Sequence, residues 1–218
     1  MIMEEALEGL YTNHITMTII EMIVVFAIFA IFAKQPKLIP SKIQNIFEAY
    51  IDFTKNMIEE NMGKKGMKYF PLIAGLGLFI FFGNLMGMIP GLESPTANIN
   101  TTLALALLVF VIYNIEGIRA QGFVNYFKHF FGPIKWMAPL FFVLEIISHL
   151  SRPVTLALRL FANMTGGEIL TVVLIFLLPF LVPLPIMFIH FFQVFLQTYV
   201  FMILTTVYIA TAIVQSEH

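Results

Sequence analysis

The sequence predicts an all-α integral membrane protein. Five membrane helices are expected, with one amphipathic helix at the inner surface and the last two membrane helices forming a long tilted hairpin. Three observations predict this. Of the 218 residues, 59% are hydrophobic and 11% charged, with a mean hydropathy of +0.89, whereas a soluble domain carries about 25% charged residues. Apolar runs of spanning length, about 20 residues, recur along the chain. Lysines and arginines gather in alternate connections between those runs.

The whole chain, 1–218, reads as one membrane domain. After residues 1–14, the first apolar segment is 15–33, "ITMTIIEMIVVFAIFAIFA", which contains Glu21, placed near the membrane boundary. The acidic start (Glu4, Glu5, Glu8) lacks the basic flank of a cleaved signal peptide, so this segment is expected to be retained. Residues 41–62 follow a different pattern. Ile43, Ile46, Phe47, Tyr50, Ile51, Thr54 and Ile58 recur at helical spacing, with charged residues between them. That is an amphipathic helix, lying either on the inner surface of the membrane or on the protein's own loops. Residues 70–90 and 97–118 form a membrane hairpin, and a long apolar stretch from 137 to 214 closes the chain. Pro179, Pro183 and Pro185 interrupt it, and proline lacks the backbone donor a helix needs. The stretch therefore splits into helices 137–182 and 184–214. Each is longer than an upright span requires, so strong tilt is expected.

Basic residues set orientation. Lys34, Lys37, Lys42, Lys55, Lys64, Lys65 and Lys68 fall in one connection, and Arg119, Lys128 and Lys135 in another. The "GLESPT" connection and the proline turn have none. The N-terminus is thus placed outside and the C-terminus in the cytoplasm. There is no cysteine, which excludes disulfides, thiolate metal sites and cysteine nucleophiles. No cofactor, metal centre or nucleic-acid partner is expected.

The last two helices carry polar seams. With about 100° between successive helical residues, His149, Arg152, Arg159 and Asn163 fall within about 40° of Glu145, and Ser148 and Thr155 lie beside them. On the final helix, Gln193, Gln197, Tyr208, Thr211 and Gln215 share a side with His190. Charges at mid-bilayer cost roughly 3 kcal/mol or more each, so they face protein or water and usually serve function. For Gln193, Thr211 and Gln215, hydrogen-bonding between helices is the plainer role. Along the axis, Glu145, Ser148 and His149 lie toward one end, and Glu168 and His190 toward the other. Arg159 sits between them, and an arginine does not release its proton. Two proton-exchanging clusters separated by a fixed cation form an interrupted relay rather than a leak.

These residues carry a family resemblance. "RPVTLALRLFANMTGGEIL", and above all "LRLFANM", resembles the signature of subunit a of F-type ATP synthases. "FFGNLMGMIP" and "PTANINTTLALAL" look like that family's earlier hairpin, and "FIHFFQVFLQTYVFMILTTVYI" like its last helix. The resemblance implies a non-catalytic stator subunit in a bacterial inner membrane. Its partners would be the c-subunit ring, the b-subunit peripheral stalk, the rest of the synthase and membrane lipid. Arg159 matches the gate residue that couples proton flow to rotation. Glu168, His190, Asn163 and Gln197 match the outer half-channel, with Asn98 and Asn100 in its region, and Glu145 and Ser148 match the inner half-channel, beside which the seam places His149. Some members carry aspartate where this chain has Asn98, which cannot exchange protons. Arg152 sits where some relatives have lysine and reads as a charge reaching for the inner surface.

Two other functions fit parts of the pattern. An ion-coupled secondary transporter would also use intramembrane Arg and Glu, but no internal repeat is present. A haem-binding subunit would use His149 and His190 as axial ligands, but they sit toward opposite ends.

Overall fold

The computed structural model describes residues 14–33, 42–89, 92, 94–123, 126, 138–177 and 183–214. Among these residues there are six α-helices and no strand. They are α1 (His14–Ala33), α2 (Lys42–Met62), α3 (Phe70–Met86), α4 (Ile99–Gln121), α5 (Ala138–Leu177) and α6 (Pro183–Val214). Short 3₁₀ turns at Lys64–Tyr69 and Pro95–Ala97 precede α3 and α4. Lys34, Lys37, Lys128, Lys135, Pro179 and Gln215 lie outside the described residues.

Among the described residues, four helical stretches are long and apolar enough to cross a membrane: 64–86, 99–120, 140–177 and 185–213. Within α1 the apolar stretch is shorter, Thr16–Ala30. Helix ends follow local chemistry. Gly63, at φ 62°, terminates α2, and Gly122, at φ 78°, terminates α4; both occupy the left-handed region that only glycine enters at no steric cost. Asn98 caps α4 by accepting from the Asn100 N–H at 2.9 Å. Helix α5 runs 40 residues through Pro153, which cannot donate to the carbonyl four residues back.

The core is one face of α5 packed on its neighbours. Leu156, Ala157, Leu160 and Met164 recur at helical spacing and are buried against Leu76 and Ile80 of α3, Ala106 and Val109 of α4, and Phe201 of α6. The opposite face of α5, and most of α1, present large apolar side chains outward. That pattern suits lipid or a partner helix.

Helix α2 packs on α6, on α3 and on the 3₁₀ turn before α3. Met57 and Ile58 join Ile73, Met202 and Ile209 in a second cluster. The Tyr50 hydroxyl donates to the Ala74 carbonyl at 2.7 Å, and burial pushes its pKa up to about 12, so it remains a neutral donor. Of the predicted apolar face, Thr54 and Ile58 are fully buried and Ile46 is exposed. Lys68, in the turn before α3, pairs with Glu116 of α4 at 2.9 Å, and Arg119 pairs with the same Glu116 at 3.1 Å within α4. Both cations are largely exposed, so these pairs contribute little.

Glu21, placed near the membrane boundary by the sequence, does not face outward. It is completely buried, on the same face of α1 as Met17, against Gly83 of α3. The apolar run around it gave no sign of which residue faces the bundle, because α1 is apolar on every side.

Candidate functional site

Polar groups gather at two depths. One cluster lies at the end where α3 connects to α4. Ser94, Thr96 and Asn84 are fully buried there. The Ser94 hydroxyl donates to the Gly83 carbonyl at 2.9 Å and lies 2.6 Å from the Thr96 hydroxyl, which bonds the Asn84 side-chain oxygen. The Ser94 N–H donates to Oε1 of Glu168 at 3.0 Å. Thr165, one turn before Glu168, donates to the Ala97 carbonyl at 3.1 Å. The connection between α3 and α4 is thus strapped onto α5 at Glu168.

His190 of α6 is buried and lies over Gly167, where an added methyl would stand 2.5 Å from its Nε2. Only a glycine allows that approach. A turn deeper, Asn163 donates from Nδ2 to Oε1 of Gln197 at 2.8 Å, and Gln193 donates to the Asn163 carbonyl at 3.4 Å. The two predicted seams therefore meet at Asn163 and Gln197. The His190 Nε2, Gln197 Nε2 and Asn84 Nδ2 atoms have no hydrogen-bond partner among the described residues. Buried polar atoms of this kind are normally satisfied by water.

The second cluster lies toward the opposite end of the bundle. His149 Nε2 is 2.8 Å from the Asn114 side-chain oxygen, which also accepts from the Tyr126 hydroxyl at 2.7 Å. Asn114 spends its own Nδ2 on the Phe110 carbonyl, so its oxygen is the acceptor and His149 Nε2 the donor. The Tyr113 hydroxyl lies 3.1 Å from Nδ1. Arg152, half-buried, lies over the Tyr208 ring at 5.8 Å. Glu145 is half-buried on the same helix and Ser148 is exposed. His149 and His190 are held in different clusters, so the structure does not bring them together as a ligand pair.

Arg159 stands between the clusters, about 15 Å along α5 from His149 and about 14 Å from Glu168 at 1.5 Å per residue. The expectation of one narrow seam needs correction. The predicted spread of about 40° to either side of Glu145 covers two sectors. Asn163 and His149 turn into the bundle. Arg159, Ser148 and Thr155 turn outward, together with Ser151, Ala162 and Gly166. Arg159 has no ion pair or hydrogen bond among the described residues. Thr155 and Ser151 tie their hydroxyls back to carbonyls of their own helix. The outward face near Arg159 is therefore a shallow strip of small side chains around one cation.

Asn98 is half-exposed and Asn100 exposed. With Thr18, Ile19 and Thr101 they line a cleft of 470 Å³ between α1 and α4. Sequence reasoning missed Tyr113, Asn114, Ser94 and Thr96, which lie in or beside apolar runs. It also missed Thr198, Thr205 and Thr206, buried on α6 and each bonded to the carbonyl four residues back.

The family model described as the ATP synthase A chain matches residues 15–210. The chain belongs to that family. It is 68% identical over 206 residues to ATP synthase subunit a of Sulfurihydrogenibium sp. (strain YO3AOP1), covering 94% of this chain and 99% of that protein. It is 54% identical over 200 residues to ATP synthase subunit a of Aquifex aeolicus (strain VF5), covering 88% and 92%. A Campylobacter jejuni ATP synthase subunit a (strain RM1221) is 51% identical over 183 residues, covering 83% and 81%.

Gly167→Ala is expected to displace the buried His190 ring and slow proton transport severalfold in assembled complexes. Gly75→Ala, whose added methyl meets nothing within 4 Å, should leave transport unchanged. Proton uptake by inverted vesicles compares the two.

Proposed function

We propose that the chain is the stator subunit of a rotary ATP synthase. It provides two offset proton half-channels to carboxylates on a c-subunit ring, with Arg159 separating them. Belonging to the ATP synthase A chain family supports the membrane-sector role. The observation that carries the finer reading is the outward placement of Arg159. A permanent cation faces away from its own bundle at mid-helix, on a strip of small residues, between two buried polar clusters.

Such a cation needs a counter-charge from another chain, because leaving it in lipid costs roughly 3 kcal/mol or more. A rotor carboxylate meets that need when it is deprotonated. Small neighbours (Ser151, Thr155, Ala162, Gly166) let a second helix approach closely. Glu168, His190, Asn163 and Gln197 form the outer half-channel in this scheme, with Asn98 and Asn100 at its mouth. Glu145, Ser148 and His149 form the inner one. Protons entering from outside load a rotor carboxylate and leave on the inner side only after rotation. A membrane potential supplies about 2.3 kcal/mol per proton per 100 mV to drive it. The chain itself does no ATP chemistry, which belongs to other subunits, and a peripheral stalk holds it still. The fifth span is α1, the N-terminus lies outside, the C-terminus is cytoplasmic, and the membrane is the bacterial inner one.

The test is reconstitution into liposomes. The purified chain alone should not conduct protons, because its carrier sits on the rotor; the chain with the c-ring and stalk should. Conduction, or saturable uptake of a solute, by the chain alone would overturn the scheme.

A further inference from the structure

One buried ionisable group has no role in the scheme above. Glu21 is completely buried, and neither of its oxygens has a hydrogen-bond partner among the described residues. No side chain is bonded to it, and its nearest polar neighbour is the backbone of Gly83 on α3. A carboxyl buried without compensation is costly, and in a membrane protein it marks function by default.

Its surroundings say which function. A methyl added at Gly83 would stand 2.5 Å from Glu21 Oε1, so the absence of a side chain there makes room for the carboxyl. The Gly83 carbonyl accepts the Ser94 hydroxyl, and the Ser94 N–H holds Glu168. Glu21 and Glu168 thus flank one buried polar cluster, in which Asn84 has an unpartnered Nδ2. Neither α3 nor the Pro95–Ala97 turn, the elements packed on this part of α1, carries an ionisable side chain. On the other side, Thr18 lies one turn before Glu21 and lines the cleft shared with Asn98 and Asn100.

We propose that Glu21 is a proton-exchanging side chain of the outer half-channel, taking protons from the cleft at Thr18, Asn98 and Asn100 and handing them to Glu168 across the Ser94 cluster. Its ligand is the hydronium of the outer aqueous phase. The carboxylate takes a proton from hydronium, releasing water, and yields it to the Glu168 carboxylate, returning to its charged form. It supplies from α1 the exchange that Asn98, an amide in the same cleft, cannot perform.

The assignment rests on the half-channel reading, and the test separates the two. E21Q, E21D, the double variant E21Q/N98D, and R159A are compared in intact, assembled synthase in inverted vesicles. ATP synthesis driven by an imposed proton gradient is the readout. E21Q, which keeps the shape, should lose about 100-fold or more, in the range of a lost acid–base group. E21D should retain most activity, and N98D should restore much of what E21Q loses. Wild-type rates in E21Q, or equal losses in E21Q and E21D without rescue by N98D, would overturn the assignment. If R159A is inactive while E21Q is normal, only the Glu21 assignment fails. If R159A is active, the half-channel reading itself fails. Should E21Q not assemble, T18C decides, since the chain has no cysteine of its own. A charged, membrane-impermeant thiol reagent should reach it from the outer side, and no reaction would overturn the path.

Discussion

Arg159→Ala is expected to abolish proton-coupled ATP synthesis and ATP-driven acidification while leaving the complex assembled. Assembly should survive because Arg159 contributes nothing to the buried face of α5, which is built from Leu156, Ala157, Leu160 and Met164. The loss follows from the counter-charge. Without it, a deprotonated rotor carboxylate must cross mid-bilayer uncompensated, at roughly 3 kcal/mol or more. At 1.36 kcal/mol per tenfold, that slows the step at least about 100-fold. Removing the cation also takes away the barrier between the two half-channels of the scheme, so passive proton leak should rise. Arg159→Lys is expected to fail nearly as badly, because a desolvated lysine sheds its proton. Vesicle acidification with ATP, measured at equal complex content, checks both. Acidification retained in Arg159→Ala would mean that the residue is structural.

Glu168→Gln is the second large effect. The amide keeps the size of the side chain and an oxygen for the Ser94 N–H, so the strap between α5 and the connection before α4 should hold. It cannot exchange a proton. Synthesis driven by an imposed gradient should fall by about 100-fold, in the range of a lost acid–base group, and Glu168→Asp should recover part of it. Thermal stability of the assembled complex in detergent should match wild type. A fall in stability equal to that of Glu168→Ala would mean that the carboxylate serves mainly as a fastener. Wild-type synthesis in Glu168→Gln would move the outer relay elsewhere.

Much of this molecule is written in local pattern. Composition placed it in a membrane, and runs of apolar residues located its long helices. The three prolines at 179, 183 and 185 set the break between the last two helices near the point where α5 and α6 are seen to end and begin. Helical periodicity found the polar residues of both. "LRLFANM" pointed to the family that the comparisons show. Each of these signals needs only the residues of one segment.

Tertiary packing decided the rest. Periodicity fixes the angle of a side chain about its own helix axis, but not which neighbour fills that sector. His149 and Arg159 differ by about 80° on α5, and only the docking of Leu156, Leu160 and Met164 onto α3 and α4 turns one toward Asn114 and the other outward. Glu21 is the extreme case. Its helix is apolar all round, so no pattern distinguished a boundary residue from a buried one. The contact of α1 with the bare backbone of Gly83 is what buries it.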